Sequence, residues 1–191
     1  MRVLALCLIV AAAAWRILSL HAPELGNFSP LMALAFCGGV YFSRGWMWAV
    51  PFVALLGSDL YIDHWYAVEY GYHSGPAGVV LRLLCFAAGI LLGRPLAVRR
   101  TWLKLAAGTI GASLLFYLVT NTASWADDVH YAHTLAGWAQ ALTVGHAGMP
   151  STLYFFRNTF ASDLLFTGVF ALAMEYAAQR SGAFSLLARK A

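Results

Sequence analysis

Six apolar stretches, at residues 3–20, 31–42, 46–61, 77–92, 105–120 and 153–176, are joined by connections whose charge alternates along the chain. Nine of the twelve Lys and Arg residues (Arg2, Arg44, Arg94, Arg99, Arg100, Lys104, Arg180, Arg189 and Lys190) occupy the N-terminus, the second and fourth connections and the C-terminus. All six histidines (His21, His64, His73, His130, His133 and His146) occupy the other three connections, with Glu24, Asp63, Glu69, Asp127 and Asp128. By the positive-inside rule the basic connections face the cytoplasm. The pattern therefore predicts an all-α membrane protein of six transmembrane helices with both termini inside. Only Ser43, Arg44 and Gly45 separate the second and third stretches. They predict a tight helical hairpin, because Arg44 at mid-bilayer would cost about 2.5–3.5 kcal/mol.

Composition agrees: 61% of the residues are apolar and 10% charged, outside the range of soluble domains. In 191 residues, six helices of about 20 residues leave room for one membrane domain, 1–191, and no soluble one. The net charge of +4 sits beside the membrane, where anionic lipid headgroups rather than nucleic acid are its partners. Met1 and Arg2 before an apolar run also fit a signal peptide cut near Ala12–Ala14, which would leave the other five helices in the same orientation. Cys7, Cys37 and Cys85 lie inside apolar stretches, form no C-x-x-C pair, and read as packing residues.

Apart from Glu175, which lies too near the inner end to count with them, five Arg and Asp residues fall within the apolar stretches, Arg16, Asp59, Arg82, Arg157 and Asp163, all toward the outer side. Such groups are costly in hydrocarbon and face a protein interior or a wet cavity. One reading is structural, with Arg16 and Arg157 reaching outer headgroups and Asp59 paired to Arg82 between adjacent helices. The other is an outward-open cavity walled by Asp59, Arg82, Arg157 and Asp163, with Asn27, Asn121 and Asn158 at the same level. The aromatic residues of the outer connections, among them Tyr61, Trp65, Tyr66, Tyr70, Tyr72, Trp125 and Tyr131, suit an interfacial belt or a lid over a flat ligand. Residues 121–152 are long for a connection and predict a partly helical lid or re-entrant element. His130 and His133 beside Asp127 would make a metal site only on a helix and with a third ligand, so no metal or cofactor is expected.

Enzyme chemistry finds no support. No apolar stretch holds a histidine for haem, and Ser113 has no base at its depth. Asp59 follows Gly57–Ser58 rather than the Gly-x-Gly context of intramembrane aspartyl proteases, and no nucleotide-binding loop occurs.

The strings Asn27-Phe28-Ser29-Pro30 and Gly38-Gly39-Val40-Tyr41-Phe42, with Ser58-Asp59, Thr120-Asn121, Trp125, Phe155-Phe156-Arg157-Asn158-Thr159 and Asp163, resemble a family of six-helix bacterial membrane proteins that carries a transport label. The layout is more distantly similar to the substrate-capturing S components of energy-coupling factor vitamin transporters, and to the solitary cobalamin transporters of the BtuM family. Asp59 matches by position an Asp near the outer end of helix 3 in those proteins. The cobalt-ligating cysteine of the BtuM family has no counterpart, since Cys85 lies about two turns deeper, and the small-residue docking face of helix 1 is met only by Ala11–Ala14. The resemblance implies a bacterial inner-membrane protein with an S-component-like bundle.

The combined expectation is a substrate-binding transport protein, not an enzyme, for a small organic nutrient such as a vitamin or corrinoid. Asn27, Asp59, Arg82, Asn121, Arg157, Asn158 and Asp163 are its expected binding residues, and a coupling membrane or ATPase module its expected partner. The alternative is a structural or assembly subunit in which the same charges only pack helices.

Overall fold

A computed structural model describes residues 2–42, 45–71 and 75–187. Arg44, His73, Arg189 and Lys190, used above to orient the chain, and Tyr72 of the aromatic set lie outside the described residues. The described chain is all helical, with α1 (Arg2–Leu18), α2 (Leu31–Tyr41), α3 (Ala49–Tyr70), α4 (Pro76–Gly93), α5 (Leu96–Arg99), α6 (Trp102–Asp127), α7 (Leu135–Leu142) and α8 (Thr152–Arg180).

Helix boundaries follow local chemistry. Thr101, Thr134 and Ser151 accept hydrogen bonds from the third residue on, Lys104, Gly137 and Tyr154, and so cap α6, α7 and α8. Pro76 opens α4 where no backbone donor is needed. Gly71, at φ +65°, ends α3 in a left-handed turn.

The bundle is organised around α2. All ten residues from Leu31 to Val40 are buried, so this helix has no lipid or water face. It packs on α4 and α8 most extensively and also touches α6, while α1 and α3 pair with each other. Close approach to α4 is made by glycines. A Cβ on Gly39 would overlap the Ile90 carbonyl, and one on Gly93 would overlap that of Phe36. Gly89 and Gly93 form a G-x-x-x-G pair on α4, the spacing that lets helix backbones touch in apolar surroundings.

Among the described residues, four helical stretches are long and apolar enough to cross a membrane: Val3–His21, Pro76–Gly93, Trp102–Asp127 and Thr152–Arg180. This corrects the expected six. With 11 residues, α2 is only about 16 Å long, roughly half a bilayer core, and its apolarity serves burial in protein. Helix α3 has 22 residues, but Asp59, Asp63, His64 and Glu69 load its second half with polar groups. The helices also run further than the apolar stretches: residues 62–70 and 121–127, expected as connections, are helical.

The two ends of the bundle differ as the charge alternation predicts. At the basic end, Arg94 stacks on Trp48 at 4.4 Å, and Arg100 meets the fully buried Glu175 at 2.5 Å. Glu175 also accepts from Tyr41 Oη and from the Leu186 backbone N–H, which folds the C-terminal segment back under the bundle. Asp128, His130 and His146 gather at the other, histidine end.

Because a methyl group on Gly93 would meet backbone rather than a movable side chain, Gly93→Ala is expected to destabilise the protein by roughly 1–3 kcal/mol through overpacking. Gly57, with nothing within 4 Å of a Cβ, is the control: Gly57→Ala is expected to be neutral or stabilising by about 0.5–1 kcal/mol. Thermal unfolding of the purified variants in detergent checks both.

Candidate functional site

A cavity of about 320 Å³ opens at the histidine end between α6 and α8. Its walls follow from helical periodicity. Phe116, Tyr117, Thr120, Asn121 and Ser124 recur at spacings of one, three and four along one face of α6, and Thr152, Phe155, Phe156 and Thr159 do so on α8. Residues 128–150 supply the third wall through Asp128, Tyr131, Gly145, His146, Met149 and Pro150, and Asn27 closes the fourth side. Tyr117 and Phe156 lie 4.2 Å apart at 31°, and Tyr131 and His146 lie 4.5 Å apart. The cavity is thus lined by paired rings with amide and hydroxyl groups between them.

The third wall is held by hydrogen bonds rather than by a continuous helix. Tyr117 Oη donates to the Leu142 carbonyl at the end of α7. Trp138 Nε1 donates to Thr122 Oγ1 at 3.0 Å, and Trp125 Nε1 to the Ala132 carbonyl at 2.9 Å. Gly145, at φ +70°, lets the chain turn against Thr152, whose hydroxyl a Cβ would crowd. The expected partial helicity of residues 121–152 is present, in the end of α6 and in α7.

Among the described residues, Asp128 is the single Asp or Glu of the lining, which contains no Lys or Arg. Its Oδ1 accepts from the His130 backbone N–H at 2.9 Å and faces His130 Nδ1 at 2.8 Å, while Oδ2 faces His146 Nε2 at 2.9 Å. The backbone bond foremost, then the side-chain bond, hold the carboxyl below its usual range. His130 lies in a turn and His133 meets Trp125 edge-on, so the helical His130–His133 metal spacing is not formed. No group of three potential metal ligands occurs among the described residues.

The seven expected binding residues do not share one cavity. Asn27 and Asn121 line it. Asn158 is buried beside it, and its Nδ2 donates to the carbonyls of Glu24 and Gly26 at 3.1 and 2.9 Å. With Thr159 Oγ1 bonded to the Asn27 carbonyl at 3.1 Å, this holds the loop that carries Asn27, whose φ of +62° is left-handed. Arg157 stacks on Tyr154 at 4.7 Å and reaches Asn158 Oδ1 at 3.3 Å. It is absent from the lining, on a part of the α8 surface between cavity-facing turns.

Asp59 and Arg82 belong to a different cluster, on α1, α3 and α4. Asp59 Oδ1 meets Arg16 Nη2 at 2.7 Å, and Oδ2 meets Arg82 Nε at 3.1 Å. Arg82 also lies 3.9 Å from Asp63, and Arg16 donates to Ser29, at 3.1 Å, and to Ser58. Arg16 therefore turns inward and does not reach for headgroups. Asp163 is fully buried: Oδ1 accepts from the Ala33 backbone N–H at 2.9 Å, and Oδ2 from Ser113 Oγ at 2.6 Å. It caps the N-terminus of α2, where Pro30 offers no side-chain cap. Both carboxylates are occupied by the fold, which is why neither is available to line a cavity.

Selecting residues by charge and depth missed Phe116, Tyr117, Phe156 and Asp128. The signal that finds them is a facing pair of stripes, aromatic with Thr, Ser and Asn, at three- and four-residue spacing on two helices.

Removing Asp59 leaves two poorly exposed arginines without their shared partner. Asp59→Ala is expected to lower stability by about 3–5 kcal/mol, read as a fall in the unfolding midpoint in detergent, with ligand affinity of the surviving folded protein unchanged.

Neither a curated protein nor a solved structure matches this chain. A family model matches residues 1–185, nearly the whole length. The chain belongs to DUF6580, a family of unknown function.

Proposed function

We propose that the protein is a substrate-binding transport protein that captures a small organic molecule in the cavity between α6 and α8. The observation that carries this reading is the cavity itself. It is concave, ring-lined, furnished with a few polar groups and, at about 320 Å³, within the usual range of small-molecule sites, roughly 300–1,000 Å³. That size favours a compact nutrient over a corrinoid, whose macrocycle is several times too large to be enclosed.

In this reading α1, α2, α3, α4, α6 and α8 lie in a bacterial cytoplasmic membrane, α2 buried among its neighbours and α3 packed on α1. The basic end faces the cytoplasm by the positive-inside rule, so the cavity opens outward. Many large apolar side chains point away from the core, including Val10, Val53, Leu60, Leu84, Leu91 and Leu103, as lipid contact requires. Energy for release enters through a partner or a gradient. Ala11 and Ala14, exposed on α1, let a coupling subunit's helix approach closely.

A second reading, a structural or assembly subunit, is favoured by the internal pairing of Asp59, Arg82 and Asp163. A thermal-shift screen of small organic metabolites on detergent-purified protein separates the two. A ligand at a hundred times its Kd should add about 2.7 kcal/mol, and Thr120→Trp, which fills the cavity, should abolish the shift. No stabilising compound, or one whose effect survives Thr120→Trp, supports the structural reading.

A further inference from the structure

The chemistry of the cavity walls narrows what can bind there, granted that the cavity is the binding site. Five lining residues are Phe or Tyr (Phe116, Tyr117, Tyr131, Phe155 and Phe156), and ring faces attract cations as well as other rings. The one fixed charge is the carboxylate of Asp128, accompanied by His146, and no Lys or Arg lines the space. The nearest basic side chain of α8, Arg157, is engaged with Tyr154 and Asn158. Asn121 donates its amide N–H to the Tyr117 carbonyl at 2.8 Å, which leaves its carbonyl oxygen to accept from a ligand. The polar remainder, Asn27, Thr120, Ser124, Thr152 and Thr159, is neutral.

Such a lining repels carboxylates and phosphates. An anionic ligand would meet Asp128 with no countercharge beyond the histidines already turned to it. A cation, by contrast, meets a carboxylate, an amide oxygen and several ring faces. We infer that the ligand is a small organic cation, an amine or charged nitrogen heterocycle carrying an unsaturated ring. Its positive group is held at Asp128 and its ring lies between the Tyr117–Phe156 and Tyr131–His146 pairs.

Three probes that share one ring and differ in charge test this: tryptamine, indole and indole-3-acetate, titrated calorimetrically into detergent-purified protein at pH 7.5. Tryptamine should bind most tightly and indole-3-acetate most weakly. Asp128→Asn should weaken tryptamine about tenfold or more and leave indole unchanged, the indole result showing that the cavity survives the substitution. The cation proposal is overturned if indole-3-acetate binds as tightly as tryptamine, if Asp128→Asn weakens all three equally, or if no probe binds. Thr120→Trp separates this from failure of the cavity reading. A preferred anion that Thr120→Trp expels overturns the cation alone, whereas binding that Thr120→Trp leaves intact overturns the cavity as the site.

Discussion

The carboxylate of Asp163 at the first turn of α2 is the contact on which the bundle depends. A helix buried on every side has backbone N–H groups at its start that neither water nor lipid can satisfy. Chain-local chemistry offers α2 nothing, because the residue before it is Pro30, without a side-chain acceptor. Asp163, 130 residues along the chain, accepts from Ala33, and Ser113 from α6 holds its other oxygen. Three helices are thereby fixed at one point. With α2 positioned, its glycine contact with α4 and its packing on α8 follow from shape.

The same arrangement places the cavity. The short loop before α2 must lie against the start of α8, where Asn158 and Thr159 bond its carbonyls. Asn27 is thereby delivered to the gap that α6 and α8 leave as they diverge toward the histidine end. The other pair, α1 with α3, is linked across to α4 through Asp59 and its two arginines. The protein thus separates two uses of charge: paired charges inside the helix packing, and one carboxylate beside an open space.

Much of the fold was legible in the sequence. The alternation of basic and histidine-rich connections matches the placing of Arg94 against Trp48 and Arg100 against Glu175, and the grouping of Asp128, His130 and His146 near one another. Helix length was less legible, since an apolar run records the hydrocarbon contact of a helix and not its hydrogen bonds. Both α3 and α6 continue as helices through Asp63 and Asn121 after their apolar runs end. The burial of α2 had a signal, a run with no polar side chain between Leu31 and Val40, but its cap at Asp163 is a tertiary contact without local trace. Of the site, Asn27 and Asn121 were legible by depth. Asp59, Arg82 and Asp163 were misplaced because residues at one depth on different helices share a cavity only if their faces converge, and depth says nothing about faces.

The cluster on α1, α3 and α4 contains two arginines, Arg16 and Arg82, and two aspartates, Asp59 and Asp63. With all four ionised the formal charges sum to zero. An electric field across a membrane does work only on net charge displaced along it, about 2.3 kcal/mol per elementary charge per 100 mV. Displacing this cluster as a unit along the field therefore takes no electrical work. Four paired charges remain, in that respect, invisible to voltage.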